Sequence, residues 1–192
     1  MKKVQDHYFN KAKKDGYVAR SAYKLEEIDS KHKIIKKDFK VLDLGCFPGS
    51  WMQYISKKIG NEGMVVGVDR TQLKMKLMAN ARFVHSDIND LKLDELSLDF
   101  KYDFICSDMA PNSTGIRDVD LARSLDLCQM VLALTQDHLK KKGTVLMKAF
   151  QGSSFDLLKS QVNEAFHQVR VVKPKSSRNE SREIFILGLM KK

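Results

Sequence analysis

Apolar residues recur along the chain in seven short runs: "FKVLDLG" (39–45), "GMVVGVD" (63–69), "RFVHSD" (82–87), "YDFICSD" (102–108), "GTVLMKAF" (143–150), "HQVRVVKP" (167–174) and "EIFILGLM" (183–190). Each has the length and β-branched or aromatic content of a strand and is bounded by turn residues. Between most of them, apolar residues fall at helical spacing, at Trp51 to Ile59, Val119 to Leu139 and Ser154 to Phe166. That alternation predicts a doubly wound α/β sheet. The last two runs differ. Pro174 to Arg182 is too short for a parallel crossover, so the final strand is predicted to return antiparallel. Ahead of the sheet, "RSAYKLEEIDSKH" (20–32) puts Ala22, Leu25 and Ile28 on one helical face. No repeat, low-complexity segment or linker interrupts the pattern. The expectation is one domain over residues 1–192, in which residues 1–38 form a basic helical segment packed on the core.

One run carries a charge where the pattern asks for none. In "TVLMKAF" (144–150), entered through Lys140-Lys141-Lys142-Gly143 and left through Gln151-Gly152-Ser153, Lys148 interrupts a strand. A lysine there is costly unless its stem snorkels to solvent or it stands at the carboxyl end, where open α/β sheets hold ligands. Acids mark other strand ends: Asp69 closes the second run, Asp87 follows the third and Asp108 closes the fourth. A carboxylate can accept two bonds from a ribose diol, or one from the exocyclic amine of adenine; Asp69 suits the first role and Asp87 the second. One such acid alone is commonly a turn or helix cap, but three around one crevice point to a ligand. "VLDLGCFPGSW" (41–51) reads as strand, glycine turn and helix start, which brings backbone amides to a ligand. It has two glycines rather than the three of a dinucleotide fingerprint, which weakens a nicotinamide reading. The acid before the turn, Asp43, is instead reminiscent of S-adenosylmethionine sites, whose ligand carries no pyrophosphate.

Charge adds a second theme. The net +10 is spread unevenly: residues 1–40 carry +6, residues 41–169 carry −1 and residues 170–192 carry +5. A near-neutral core between two basic arms forms a polyanion-binding face if the arms meet in space. No apolar run has membrane-spanning length and the amino end holds no signal-peptide core. A soluble intracellular chain is expected, cytoplasmic, or organellar if a targeting peptide has been trimmed, with no membrane partner. Cys46, Cys106 and Cys128 are odd in number and widely spaced, giving neither a disulfide framework nor a metal site. Monomer is the default expectation, and no obligate protein partner is evident.

"RSAYKLEEI", "LDLGCFPGSW", "SDMAPNSTG", "VLMKAFQG" and "KPKSSRNESREIFIL" resemble, in order and spacing, the FtsJ-type ribosomal RNA ribose 2′-O-methyltransferases, over essentially the whole chain. The resemblance implies a Rossmann-like S-adenosylmethionine-dependent methyltransferase fold, a mostly parallel seven-stranded sheet with the last strand antiparallel. It also implies a catalytic tetrad of Lys24, Asp108, Lys148 and Glu183. Contacts to S-adenosyl-L-methionine, and to its product S-adenosyl-L-homocysteine, are implied at Gly45, Pro48, Gly49, Trp51, Asp69, Asp87 and Asp108. Two departures stand out: Ser50 replaces a common second glycine, and "VDRTQLKM" lacks the proline usual after the ribose-binding acid.

This assignment would explain the lysine in the strand. A ribose hydroxyl is a poor nucleophile until its proton is taken, and Lys148 is the expected general base, positioned by Lys24, Asp108 and Glu183. A free lysine titrates near ~10.4, so that role depends on its surroundings. "SDMAPN" lacks the aromatic that base-amine methylation uses to stack an extruded base, and Cys106 is poorly placed for a nucleophile, which leaves a ribose oxygen. Ribosomal RNA in the large subunit, with uridine as target, is the expected partner, gripped by Lys11, Lys13, Lys14, Arg20, Lys173, Lys175 and Arg178. Two alternatives stay open: 2′-O-methylation of a transfer RNA anticodon loop, and a non-catalytic ribosome-assembly factor.

Overall fold

The computed structural model describes residues 7–91, 100–177 and 181–192. Two helices, α1 (His7–Lys14) and α2 (Ala22–His32), precede β1 (Lys40–Leu44), α3 (Ser50–Ile59), β2 (Met64–Asp69), β3 (Ala81–His85) and β4 (Tyr102–Ser107). Then follow α4 (Arg117–His138), β5 (Leu139–Phe150), α5 (Phe155–Ala165), β6 (Phe166–Val172) and β7 (Glu183–Lys191). The described strands form one sheet in the order β3-β2-β1-β4-β5-β7-β6. The first five are parallel, and β7 lies antiparallel to both β5 and β6, as the short last connection requires. No helix among the described residues is long and apolar enough to cross a membrane.

Side-chain alternation divides the core into two layers. Leu42, Leu44, Ile105, Val145, Met147, Ile184 and Ile186 pack with Cys128 and Val131 of α4 and with Leu158 and Val162 of α5. Val41, Phe104, Cys106, Leu146, Phe185 and Leu187 face the other way, against Leu25 and Ile28 of α2 and Trp51, Met52 and Ile55 of α3. The period of two therefore assigns a face to each polar residue that follows. Lys148 continues the face of Leu146, Glu183 that of Phe185, Asp108 that of Cys106, and Asp43 that of Val41. All four stand on the side covered by α2 and α3.

The buried carboxylate of Asp29 locks α2 to its neighbours. It accepts from Ile35 N–H at 2.9 Å and from Tyr54 O–H of α3 at 2.8 Å. At the other end of α2, the Ser21 and Ser50 hydroxyls share a hydrogen bond of 2.8 Å, giving Ser50 a use that a glycine would not serve.

His7–Lys14 is helical. The structure revises one boundary. β5 begins before the expected charged turn: Leu139 pairs with Tyr102 and pairing resumes at Thr144 with Phe104. Lys140 to Gly143 thus face Asp103 alone, making a wide bulge in which Lys142 takes φ 62°.

Candidate active site

β4 and β5 are paired neighbours, and β7 pairs β5 with Lys148 opposite Phe185 and Phe150 opposite Glu183. With α2 lying over the same face, Lys24 completes the group. Lys148 Nζ stands 2.9 Å from Asp108 Oδ1 and also donates to the Asp108 backbone carbonyl. Lys24 Nζ is 2.6 Å from Glu183 Oε1 and 3.9 Å from Asp108 Oδ1. Two ammonium groups and two carboxylates alternate, so their charges cancel in a region where the Lys148 side chain is only 8% exposed. A buried charge is tolerable only when paired in this way.

Glu183 is further held by Ser177 O–H at 3.0 Å. Burial works to raise its pKa, but the pull of Lys24, then Lys148 and the Ser177 hydrogen bond, holds it below the ordinary value. Ser177 lies within a quoted motif but was not singled out by the sequence. Its signal was the paired serines ahead of the acid.

Beside Asp108 a cavity of about 320 Å³ opens at the carboxyl ends of β1, β2, β3 and β4. Gly45, Asp69, Asp87 and Asp108 line it, with Ile88 and Met109 as apolar walls. Asp69 Oδ2 accepts from Phe47 N–H at 2.9 Å and Oδ1 from Thr71 N–H at 2.7 Å, so each oxygen keeps lone pairs for a diol. Asp87 Oδ1 takes the Asn89 backbone and side-chain N–H groups at 3.0 and 2.7 Å, which hold its pKa below the usual range. Its Oδ2 lies 3.9 Å from Arg70 Nη1. Arg70, missed by the sequence reading, also donates to Asn112 at 3.2 Å, tying two lips of the cavity. The acceptors and apolar walls suit an adenosine-bearing ligand.

The glycine turn behaves differently from a side-chain site. Gly45 and Phe47 line the cavity, whereas Pro48, Gly49 and Trp51 stand behind that lining. The Trp51 indole is buried, 5.9 Å from Phe185, and donates its N–H to Ser21 O at 2.8 Å. The indole is thus engaged within the fold, while the backbone amide of Trp51 lies in the first turn of α3. Gly49 takes φ 107° at the start of α3, and a Cβ there would collide with Met75.

The basic arms meet. Arg20 donates to the Ser176 backbone carbonyl, and Ser176 N–H donates to Glu27 at 3.4 Å. Lys11, Lys13, Lys14, Lys173 and Lys175 are exposed, while Arg20 is half-buried and engaged in joining the arms. Lys11 lies over the Tyr23 ring at 4.3 Å and Lys173 donates to Ser181 O at 3.2 Å. Arg178 lies outside the described residues.

The sheet order, the glycine turn and the strand-end acids define the Rossmann-like methyltransferase class. A family profile described as FtsJ-like methyltransferase matches residues 17–191. The chain belongs to the FtsJ-like methyltransferase family. It is 45% identical to "Ribosomal RNA large subunit methyltransferase E" of Bdellovibrio bacteriovorus, covering 98% of this chain and 97% of that one. Its namesake in Methanothermobacter thermautotrophicus is 40% identical, over 96% and 89%. Among solved structures, the chain is similar to a Plasmodium falciparum protein assigned as a ribosomal RNA methyltransferase. That match has TM-score 0.80 and 31% identity, covering 91% of this chain and 98% of the other.

Proposed function

We propose that the chain transfers the methyl group of S-adenosyl-L-methionine to the 2′-hydroxyl of a ribose in large-subunit ribosomal RNA, with uridine the expected nucleoside. The observation that carries the reading is the run of ion pairs from Lys148 through Asp108 and Lys24 to Glu183, at the rim of the cavity. The names of the relatives support the substrate class.

When bound, the cofactor supplies a sulfonium methyl already activated toward attack. The residues of the chain do the rest. Asp69 holds the ribose diol and Asp87 the adenine amine, each pre-set by backbone N–H groups. Lys148 first releases its ammonium proton to solvent and then, as the amine, takes the proton of the 2′-hydroxyl, while Asp108 fixes its position. Lys24, anchored by Glu183, donates to the hydroxyl oxygen and orients it. Positioning of this kind, with general base assistance, suffices for an in-line displacement. The exposed lysines of the two arms bind phosphates and bring the target ribose to the site.

Asp69→Ala is expected to weaken S-adenosyl-L-methionine binding by about 10²-fold, since hydrogen bonds to a charged acceptor contribute ~1.5–3 kcal/mol each. Titration calorimetry reads this directly. An unchanged Kd would remove Asp69 from the site.

The substrate is tested by methyl transfer from labelled cofactor to large-subunit particles, free ribosomal RNA and transfer RNA. Label on a ribose 2′-oxygen of the large subunit is expected. Label on transfer RNA alone would overturn the substrate, and cofactor binding with no transfer to any of the three would favour the assembly-factor reading.

A further inference from the structure

At the opposite ends of the same strands lies a second concave surface. It is formed where α2 runs into β1, where the β5 bulge opens, and where β7 ends, and it encloses about 350 Å³. Lys33, Lys36, Lys140, Lys141 and Lys142 line it together with His32. The acid in its lining is Asp103. That carboxylate is already used: Oδ1 takes Lys140 Nζ at 2.6 Å and Oδ2 takes Lys40 N–H at 2.8 Å. Lys33, Lys36, Lys141 and Lys142 have no carboxylate within ion-pair distance among the described residues. Four uncompensated cations thus face one concavity, where mutual repulsion costs free energy unless an anion arrives.

Two further observations separate this surface from a scatter of solvated lysines. The chain spends four residues opposite a single residue of β4 to project Lys140, Lys141 and Lys142, and it holds Lys142 at φ 62°, a left-handed conformation unfavourable for a residue with a Cβ. His32 presents Nε2 shielded from solvent and without a partner among the described residues, while its Nδ1 is 3.0 Å from Arg170. The floor is apolar, made by Ile34, Phe39 and Leu189. A cationic rim over an apolar floor matches a nucleotide chain, phosphates outside and sugar or base within.

We propose that this groove is a second RNA-binding site, which holds the phosphate backbone of a segment distinct from the one carrying the methylated ribose. Thr144 and Lys148 are separated by four strand residues, and Leu189 and Glu183 by six, so the groove lies about 13–20 Å from the catalytic group. The target nucleotide cannot occupy both. The inference rests on the ribosomal RNA reading and adds that the enzyme grips a folded RNA at two places, which favours large substrates over isolated stem-loops.

The test is a double charge reversal, Lys36→Glu with Lys141→Glu, beside a control pair on other surfaces, Lys74→Glu with Lys159→Glu. With full-length large-subunit RNA, the groove variant should show KM and Kd raised on the order of tenfold, kcat unchanged, and a log Kd against log salt slope reduced by about 1.4–1.8. With a short stem-loop carrying only the target, it should behave as the parent. Equal thermal melting and unchanged cofactor Kd verify the fold. Parent-like binding of large RNA, or equal losses in the control pair, would overturn the groove. Because RNA binding is read separately from methyl transfer, the absence of methylation in the parent would defeat the functional reading without deciding the groove, which the Kd and salt slope decide.

Discussion

Lys148→Ala is expected to lower the rate of methyl transfer by about 10²–10⁴-fold, the usual span for losing a positioned general base, while S-adenosyl-L-methionine still binds. Asp69 and Asp87, assigned to the ribose and adenine of the cofactor, lie on the cavity wall, and Lys148 is not among the lining residues. What the substitution does remove is the 2.9 Å partner of Asp108. It leaves Asp108 and Glu183 sharing Lys24, so some destabilisation should accompany the loss. Lys148→Arg separates the two effects. A guanidinium keeps the positive charge beside Asp108 but cannot give up its proton at any working pH. If Lys148 is the base, the arginine variant recovers thermal stability and remains as inactive as the alanine variant in single-turnover transfer of labelled methyl. Arginine restoring turnover would reduce Lys148 to an electrostatic support and send the search for the base elsewhere.

The sequence made this site legible because its residues sit where periodicities cross. Each strand run was visible from alternation and turn residues, and the carboxyl-end position of Asp69, Asp108 and Lys148 followed from counting along the runs. That Lys24 reaches the same point depends on α2 lying over the face of Leu146 and Phe185, which resemblance implied but spacing alone did not. Other features escaped for physical reasons. The bulge at Lys140 to Gly143 reads locally as a turn, since only the pairing of Leu139 with Tyr102 shows that the strand has already begun. The insertion of β7 between β5 and β6 is a long-range choice, invisible in a nine-residue connection. Trp51 carries the motif's most conspicuous side chain, yet its helix position turns the indole inward against Phe185 and leaves the backbone to face the turn. Arg70 had no periodic signal, since a cation after a strand-end acid is ordinary at a surface.

Asp43, beneath the glycine turn, supports the second large expected effect. It is fully buried, its Oδ1 has only the Cys106 thiol at 3.6 Å, and its Oδ2 has no hydrogen-bond partner among the described residues. Burial pushes its pKa up to about 8, with the Asp108 and Asp69 carboxylates adding to the rise. The folded chain therefore binds a proton at Asp43 that the unfolded chain has released. This contribution to stability is fully present below the unfolded pKa near ~3.9 and is lost as pH rises toward about 8, with a slope of up to ~1.4 kcal/mol per pH unit. Asp43→Asn removes the titration while keeping the shape. At pH 4 the two proteins should differ little, because both then bury a neutral group. Between pH 5 and 8 the asparagine variant should gain steadily on the parent, by an amount of several kcal/mol at the upper end, read as diverging urea midpoints. Parallel stability curves for the two proteins across that window would mean that Asp43 ionises in the fold as readily as in the unfolded chain, and that its charge is compensated by its surroundings.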